Sequence, residues 1–314
     1  MVAPATSASA SSAPVVSREP SRRARGFNPD GRPVHHVNMV MASVMDMQTG
    51  GGGGVVQNQS AHDGAIACAV SAGVGLLDAQ TPETYRQATN GPDKDRWVTA
   101  MDKEMASCAE LHVWDYVALT SLPQDVNVLP VKWVYKIKTD ENGEVTSFKA
   151  RLTPKGFKQI KGVDFFEVYA ATGMYKTKRV GLSLAAKWDH ELEQLDIPTA
   201  FLNADVEEDI YMALPEGYRE GHEGMVCKLR KSLYGLKQAP RNWYLLISDY
   251  IVRKMGFKSC VSDPCLYFKR SRTGRLILLF LFVDDFQGSF HAADRAEWEE
   301  LKALLVTAVQ LNSD

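Results

Sequence analysis

A continuous apolar run, Leu276-Ile-Leu-Leu-Phe-Leu-Phe282, continues into Val283 and stops at two adjacent acids, Asp284 and Asp285. A short β-rich run ended by turn-forming acids predicts a buried strand entering a tight turn, which holds both carboxylates at a rigid edge. In Glu193-Gln-Leu-Asp-Ile-Pro-Thr-Ala-Phe201, Leu195 and Ile197 flank Asp196. On a strand these two face the core while the carboxylate points to the opposite, open face, and Pro198 ends the strand. Residues 131–138 and 144–152 are also strand-like, and Asp140-Glu-Asn-Gly143 between them carries the Asn-Gly step of a hairpin. Lys136 and Lys138 then share a face of the first strand, Lys149 and Arg151 a face of the second. Trp97, Met101, Met105 and Cys108 recur at three- and four-residue steps after Pro92-Asp93, which predicts a helix with a core-facing stripe. Residues 179–188 read as another helix. Residues 231–243 carry Gly235, Lys237, Gln238 and Pro240, a loop-to-helix junction, and residues 65–77 form a strand or a short helix.

Composition separates the start of the chain from the rest. Ser, Ala, Pro and Arg dominate residues 1–32 and glycine fills residues 50–54, so residues 1–80 are expected to be a disordered linker. A folded domain is expected over residues 81–314, long enough to bury a core. The whole chain, 314 residues with a formal net charge of −2, does not read as a generic nucleic-acid-coating protein. Its charge is unevenly spread, however. Residues 131–179 hold eleven Lys/Arg against five Asp/Glu, and residues 225–258 hold eight against one. Residues 187–223 between them hold two against eleven. Two basic blocks flanking an acidic one suit a site where cations meet phosphates and carboxylates meet metal. Solvated helix faces are the rival explanation for either block alone.

The five cysteines, Cys68, Cys108, Cys227, Cys260 and Cys265, are odd in number and scattered. Cys260 and Cys265 lack a second Cys/His pair at zinc-site spacing, which favours a reduced intracellular chain. The run ending at Val283 is far shorter than the eighteen or so apolar residues of a membrane helix, and no membrane association is expected.

Several blocks together resemble the reverse transcriptase of copia-type LTR retrotransposons, from about residue 81 to about residue 288. They are Trp97-Val-Thr-Ala-Met-Asp-Lys-Glu104, Val131-Lys-Trp-Val-Tyr-Lys-Ile-Lys138, Lys149-Ala-Arg-Leu152, Lys155-Gly-Phe-Lys-Gln159 and Gln194-Leu-Asp-Ile-Pro-Thr-Ala-Phe-Leu-Asn203. Ile210-Tyr-Met212, Pro215-Glu-Gly217, Lys231-Ser-Leu-Tyr-Gly-Leu-Lys-Gln-Ala-Pro-Arg-Asn-Trp243 and Phe282-Val-Asp-Asp285 follow in the family's order. The resemblance implies an α+β right-hand polymerase, with fingers from about residue 97 and an antiparallel palm sheet backed by helices. It implies RNA-directed DNA synthesis in which Asp196, Asp284 and Asp285 hold two Mg2+ ions, with Mn2+ as a substitute. Lys149 and Arg151 would bind the triphosphate of the incoming deoxynucleotide, and Gly235 and Lys237 would border nucleotide and template. Phe201 would lie beneath the sugar and exclude a 2′-hydroxyl by volume, with core packing as its rival role. The implied partners are an RNA or DNA template with its primer, deoxynucleoside triphosphates, and integrase and RNase H as polyprotein neighbours. The implied setting is intracellular, in the cytoplasm or a virus-like particle.

Three features depart from the family pattern. Pro154 falls within a predicted strand, where it removes a ladder donor and threatens local damage. Glu167-Val-Tyr-Ala-Ala-Thr172 replaces the family's acid-threonine-phenylalanine-alanine-proline-valine run. Asp314 comes about thirty residues after Asp285, so the remaining palm, the thumb and RNase H are expected to be missing, and neither a protease motif nor an integrase zinc pattern is present. A detached fragment of a polyprotein or a decayed copy is the expectation. Three readings stay open: an active reverse transcriptase, a catalytically inactive remnant, and a repurposed nucleic-acid-binding module.

Overall fold

The computed structural model describes residues 81–197 and 199–310. The expected linker over residues 1–80, the element at 65–77, Cys68 and the role of Pro198 lie outside the described residues. The chain opens with α1 (Tyr85–Asn90) and α2 (Lys94–Glu110), followed by β1 (Trp114–Ala118), β2 (Val128–Leu129) and the hairpin of β3 (Val131–Thr139) and β4 (Val145–Pro154). Then come α3 (Tyr175–Lys187), β5 (His190–Asp196), β6 (Tyr211–Met212), β7 (Met225–Leu229) and α4 (Ala239–Arg253). β8 (Lys258–Ser259), β9 (Leu266–Arg270), β10 (Leu276–Phe282), β11 (Asp285–His291) and α5 (Arg295–Gln310) complete it. The fold is a mixture of helices and sheets, as expected.

The main sheet has the order β5-β11-β10-β9-β8, with every neighbouring pair antiparallel. The six residues 276–281 of β10 are all buried, because helices cover both faces of this strand. Ile277, Leu279 and Leu281 join Phe286, Phe290, Trp243, Ile247 and Trp298 in the principal core, which α4 and α5 line. Leu276, Leu278 and Phe280 point the other way, towards Val180, Leu184 and Trp188 of the α3 region. The strand's period of two therefore divides one apolar run between two cores, and each fully buried Leu, Ile or Phe contributes about 1.5–3 kcal/mol of transfer free energy. The Trp298 ring stacks on Phe290 with centroids 4.9 Å apart, and a methyl group on Gly288 would come within 2.1 Å of that indole. Only glycine lets α5 approach the sheet so closely.

The expected helical stripe is α2, whose buried residues are Trp97, Met101 and Cys108. Trp97 meets Tyr135 and Phe148 edge-on, with centroids 5.1 and 4.7 Å away, and so seats the hairpin on the helix. At the hairpin tip the Asp140 carboxylate accepts from the N–H groups of Asn142 and Glu144, both at 2.9 Å, while Gly143 takes φ +83°. The third sheet, β1-β7-β6-β2, is mixed, since β2 runs parallel to β6.

Two expectations need correction. The helix read at residues 179–188 starts at Tyr175 and ends at Lys187. The predicted start missed a polar first turn, Tyr175-Lys-Thr-Lys178, with no side-chain cap to mark it. Pro154 does no local damage: it pairs with Val131 in a register that is unbroken there. Lys155 N–H donates to the Pro130 carbonyl at 2.8 Å, so Val131–Pro154 is a non-hydrogen-bonded pair. The missing N–H of Pro154 thus faces the open edge of β4, where it costs no ladder bond.

Candidate active site

Asp196 is the last residue of β5 and Asp285 the first of β11, and the two are direct partners across the strands. Ile197 N–H donates to the Asp284 carbonyl at 3.1 Å, which makes Asp196–Asp285 the neighbouring non-hydrogen-bonded pair. In such pairs the Cα atoms are about 4.5 Å apart and the side chains leave from one face at their closest. Leu195 packs towards the principal core and Ile197 is buried there, while Asp196 is exposed. Asp196 and Asp285 consequently share the face of Phe280 and Phe282, opposite that core.

Asp284 occupies the two-residue turn Val283-Asp284 between β10 and β11. Val283 takes φ +61°, a left-handed conformation that a β-branched residue adopts only under constraint. The constraint is visible: Trp243 of α4 donates its indole N–H to the Val283 carbonyl at 2.6 Å. A helix under the sheet thereby fixes the turn that carries the acidic pair. The three carboxylates offer only oxygen donors, the chemistry hard divalent cations take. Among the described residues no set of three or more His, Cys, Asp or Glu side chains is arranged to hold a metal ion by itself. The donors are two opposed carboxylates and a third in the adjoining turn.

Tyr234 ties this edge to the basic hairpin. Its ring lies 4.7 Å from that of Phe201, and the Arg151 guanidinium sits over the Tyr234 ring, 4.3 Å from its centroid. Burial pushes the Tyr234 phenol pKa up, Arg151 opposes this, and Asp284, Glu104 and Asp196 add to the rise. Lys149 is lowered by burial and by the charges of Lys138 and Arg151, with Asp196 pulling the other way. The aspartates, the hairpin cations and the two rings therefore belong to one electrostatic neighbourhood. Phe201 is 9% exposed and part of the core, so packing and a wall for a ligand are compatible roles for it. Lys136 stands directly opposite Lys149 across the hairpin, concentrating positive charge on one face.

Gly235 and Lys237 are drawn into protein contacts. Gly235 takes φ +104°, and a methyl group there would meet Thr153 Cγ2 at 2.5 Å and the Pro154 carbonyl at 2.6 Å. One on Gly156 would fall 1.9 Å from the Gly235 carbonyl. The end of β4 and the Gly235 turn thus touch backbone to backbone. Lys237 donates its N–H to Gln159 Oε1 at 2.8 Å and its ammonium to the Gln159 carbonyl at 3.3 Å, with that ammonium 4.5 Å from the Phe165 ring centre. Lys237 itself is exposed, beside the buried Gln159–Gln238 pair.

Sequence reasoning missed Tyr234, Trp243, Gly156 and Glu104. Glu104 could have been found, since it lies three residues after Met101 and four before Cys108, on the buried side of the α2 stripe. It accepts from Leu152 N–H at 3.2 Å, and burial raises its pKa against the lowering effects of that bond, Arg151 and Lys149. The Tyr234–Arg151 and Gly156–Gly235 contacts join segments about eighty residues apart and left no local signal.

Residues 112–313 match the model of the family described as reverse transcriptase (RNA-dependent DNA polymerase). The chain is 44% identical over 211 residues to the retrovirus-related Pol polyprotein from transposon TNT 1-94 of Nicotiana tabacum, covering 67% of this chain and 16% of the relative. It is 34% identical over 216 residues to the Pol polyprotein from transposon RE1 of Arabidopsis thaliana, covering 68% of this chain and 14% of the relative. The match thus spans less than a fifth of these curated relatives' length. A solved structure of the foamy viral protease-reverse transcriptase dRH in complex with ds DNA aligns with a TM-score of 0.32 at 9% identity, covering 68% of this chain and 29% of that one. That likeness is too slight to bear on the fold.

Proposed function

Because the chain belongs to the reverse transcriptase (RNA-dependent DNA polymerase) family, and its relatives are Pol polyproteins of copia-type transposons, we propose that it carries the fingers and palm of an RNA-directed DNA polymerase. In this reading residues 81–314 are the polymerase unit: α2 and the β3–β4 hairpin are the fingers, and the five-stranded sheet with α3, α4 and α5 is the palm. Residues 1–80 are a segment apart. The observation that carries the reading is the pairing of Asp196 with Asp285 beside Asp284 on one sheet edge.

Asp196, Asp284 and Asp285 would hold two Mg2+ ions, or Mn2+ in their place. A carboxylate pair without a closed cage of protein ligands fits Mg2+, which commonly takes one or two carboxylates and completes its shell with water and substrate phosphates. When bound, such ions lower the pKa of the primer 3′-hydroxyl and neutralise the departing pyrophosphate. Lys149 and Arg151 bind the triphosphate, with the Arg151 guanidinium held 4.3 Å from the centre of the Tyr234 ring. Phe201, backed by the same tyrosine, closes the space a 2′-hydroxyl would need. The template is RNA or DNA with an annealed primer, and the substrates are deoxynucleoside triphosphates.

Primer extension on an RNA template tests this. Asp285→Asn and Asp196→Asn should each reduce synthesis to background. Each should also melt at the same temperature as the parent or slightly above it, since like charges directly opposite on a sheet destabilise it by up to about 1 kcal/mol. Synthesis surviving both changes would refute the assignment. A binding module is the second reading, favoured by the basic face that Lys136, Lys149 and Arg151 share on the hairpin. It predicts salt-sensitive nucleic-acid binding with no extension by the parent chain.

A further inference from the structure

Glu104 is a half-buried acid on α2 that reaches the outer edge of β4. The phase of the hairpin explains what it meets there. Lys155 N–H bonds the Pro130 carbonyl, so hydrogen-bonded pairs recur at every second residue, and Trp133–Leu152, like Val131–Pro154, is a non-hydrogen-bonded pair. The Leu152 N–H therefore points away from β3 to the open edge of β4, where Glu104 Oε1 accepts it at 3.2 Å. An edge strand commonly leaves such a group unpaired. Here it is tied to a helix. The same helix holds β4 further along by its side chains, since Trp97 meets Phe148 edge-on at 4.7 Å and the Arg96 guanidinium lies 5.2 Å from the centre of that ring. Beyond the end of β4 the backbone touches the Gly235 turn. The strand is thus fixed at three points along its length, and the middle one is a single carboxylate.

The residues beside that middle tie carry the charge. Ala150 and Leu152 are buried, while Lys149 and Arg151 alternate with them on the exposed face. Burial raises the Glu104 pKa, while the Leu152 bond and the charges of Arg151 and Lys149 lower it, so the carboxylate lies within electrostatic reach of both cations. Two roles are open to it, and they have opposite signs. As a charge, Glu104 competes with an incoming anion for the cations, and its removal would strengthen anion binding. As an acceptor of fixed reach it holds the β4 backbone, and its removal would let Lys149 and Arg151 leave their common geometry, at an entropic cost to a ligand that needs both. The observed bond favours the second, because Glu104 Oε1 is committed to the Leu152 backbone. We propose that Glu104 is a positioning residue for the triphosphate of the incoming nucleotide: through Leu152 N–H it fixes the stretch of β4 that presents Lys149 and Arg151. This deepens the polymerase reading and rests on it for the identity of the ligand, while the positioning itself requires only an anion that both cations hold.

The test needs no synthesis. Inorganic triphosphate is the probe, titrated calorimetrically into the 314-residue chain at a temperature where circular dichroism shows every variant folded. Three substitutions separate reach from charge. Glu104→Gln keeps an acceptor at the same reach without the charge, and should bind the probe at least as tightly as the parent. Glu104→Asp keeps the charge but falls one methylene short of the N–H, and Glu104→Ala keeps neither. Both should bind about 10-fold more weakly, the order of one hydrogen bond to a charged group. Arg151→Ala should weaken binding by the parent and shrink the differences among the Glu104 variants, since a cation they position is gone. A tie that served stability alone would lower the melting temperature of the Asp and Ala variants and leave their affinity at the parent's value, which would overturn the proposal. So would an Asp variant that binds like the parent while the Gln and Ala variants bind more tightly, the mark of charge alone. Failure of the parent to extend a primer would count against the polymerase reading and not against this one. Failure of the parent to bind triphosphate would overturn this proposal together with the roles of Lys149 and Arg151.

Discussion

Gly235→Ala isolates the contact that couples the basic hairpin to the aspartate edge. Two costs add. At φ +104° an L-residue is strained by about 1–3 kcal/mol. The new methyl group also meets Thr153 Cγ2 at 2.5 Å and the Pro154 carbonyl at 2.6 Å, one of them backbone that cannot rotate aside. Forcing such a group into a packed site costs about 1–3 kcal/mol more. The sum, about 2–6 kcal/mol, should lower the melting temperature by about 5–20 °C in a domain of this size. Gly143→Ala is the control: φ is +83° but nothing lies within 4 Å, so only the conformational strain applies. Gly156→Ala should resemble Gly235→Ala, and the double variant should cost less than the two together, because both break one backbone contact. Thermal unfolding by circular dichroism measures all four. Gly235→Ala melting with Gly143→Ala would refute the reasoning, since the backbone contact would then contribute nothing.

Glu104→Gln should act through pH. Burial holds the Glu104 carboxyl above its usual range, so between the unfolded and folded pKa values the native state binds more protons and stability falls as pH rises through that window. The amide keeps an acceptor for Leu152 N–H, so the variant should match the parent near pH 4 and melt a few degrees higher at pH 7.5; an unchanged difference across this range would contradict it. Trp243→Phe removes the 2.6 Å bond to the Val283 carbonyl and should cost about 1–3 kcal/mol by denaturant titration, with a larger proportional loss in primer extension than a stability effect at working temperature explains. Phe201→Val should admit ribonucleotides into primer extension; unchanged selection of deoxynucleotides would leave Phe201 with its core role alone.

Much of the carboxylate edge was legible in the chain. The run into Val283, its acids and the alternation around Asp196 each express a period of two, and local steric rules suffice to read that. The Asn-Gly hairpin and the α2 stripe were legible for the same reason. The register that sets Asp196 opposite Asp285 was not, because pairing depends on a connection of nearly ninety residues and on which faces the helices cover. Pro154 shows the limit from the other side: its identity warned of damage, and only the hydrogen-bonding phase of its pair made it harmless.

The sequence alone determined the family, the strands, the acids and the separation of charge into basic and acidic blocks, since these follow from residue order. Tertiary structure decided which cations and rings share the aspartates' surroundings. It placed Tyr234 between Phe201 and Arg151, brought the Lys237 ammonium to the Gln159 carbonyl, and set Trp243 beneath a strained turn. Each of these is a contact between distant segments, and no local pattern encodes a contact whose energy is gained only after the intervening chain has folded.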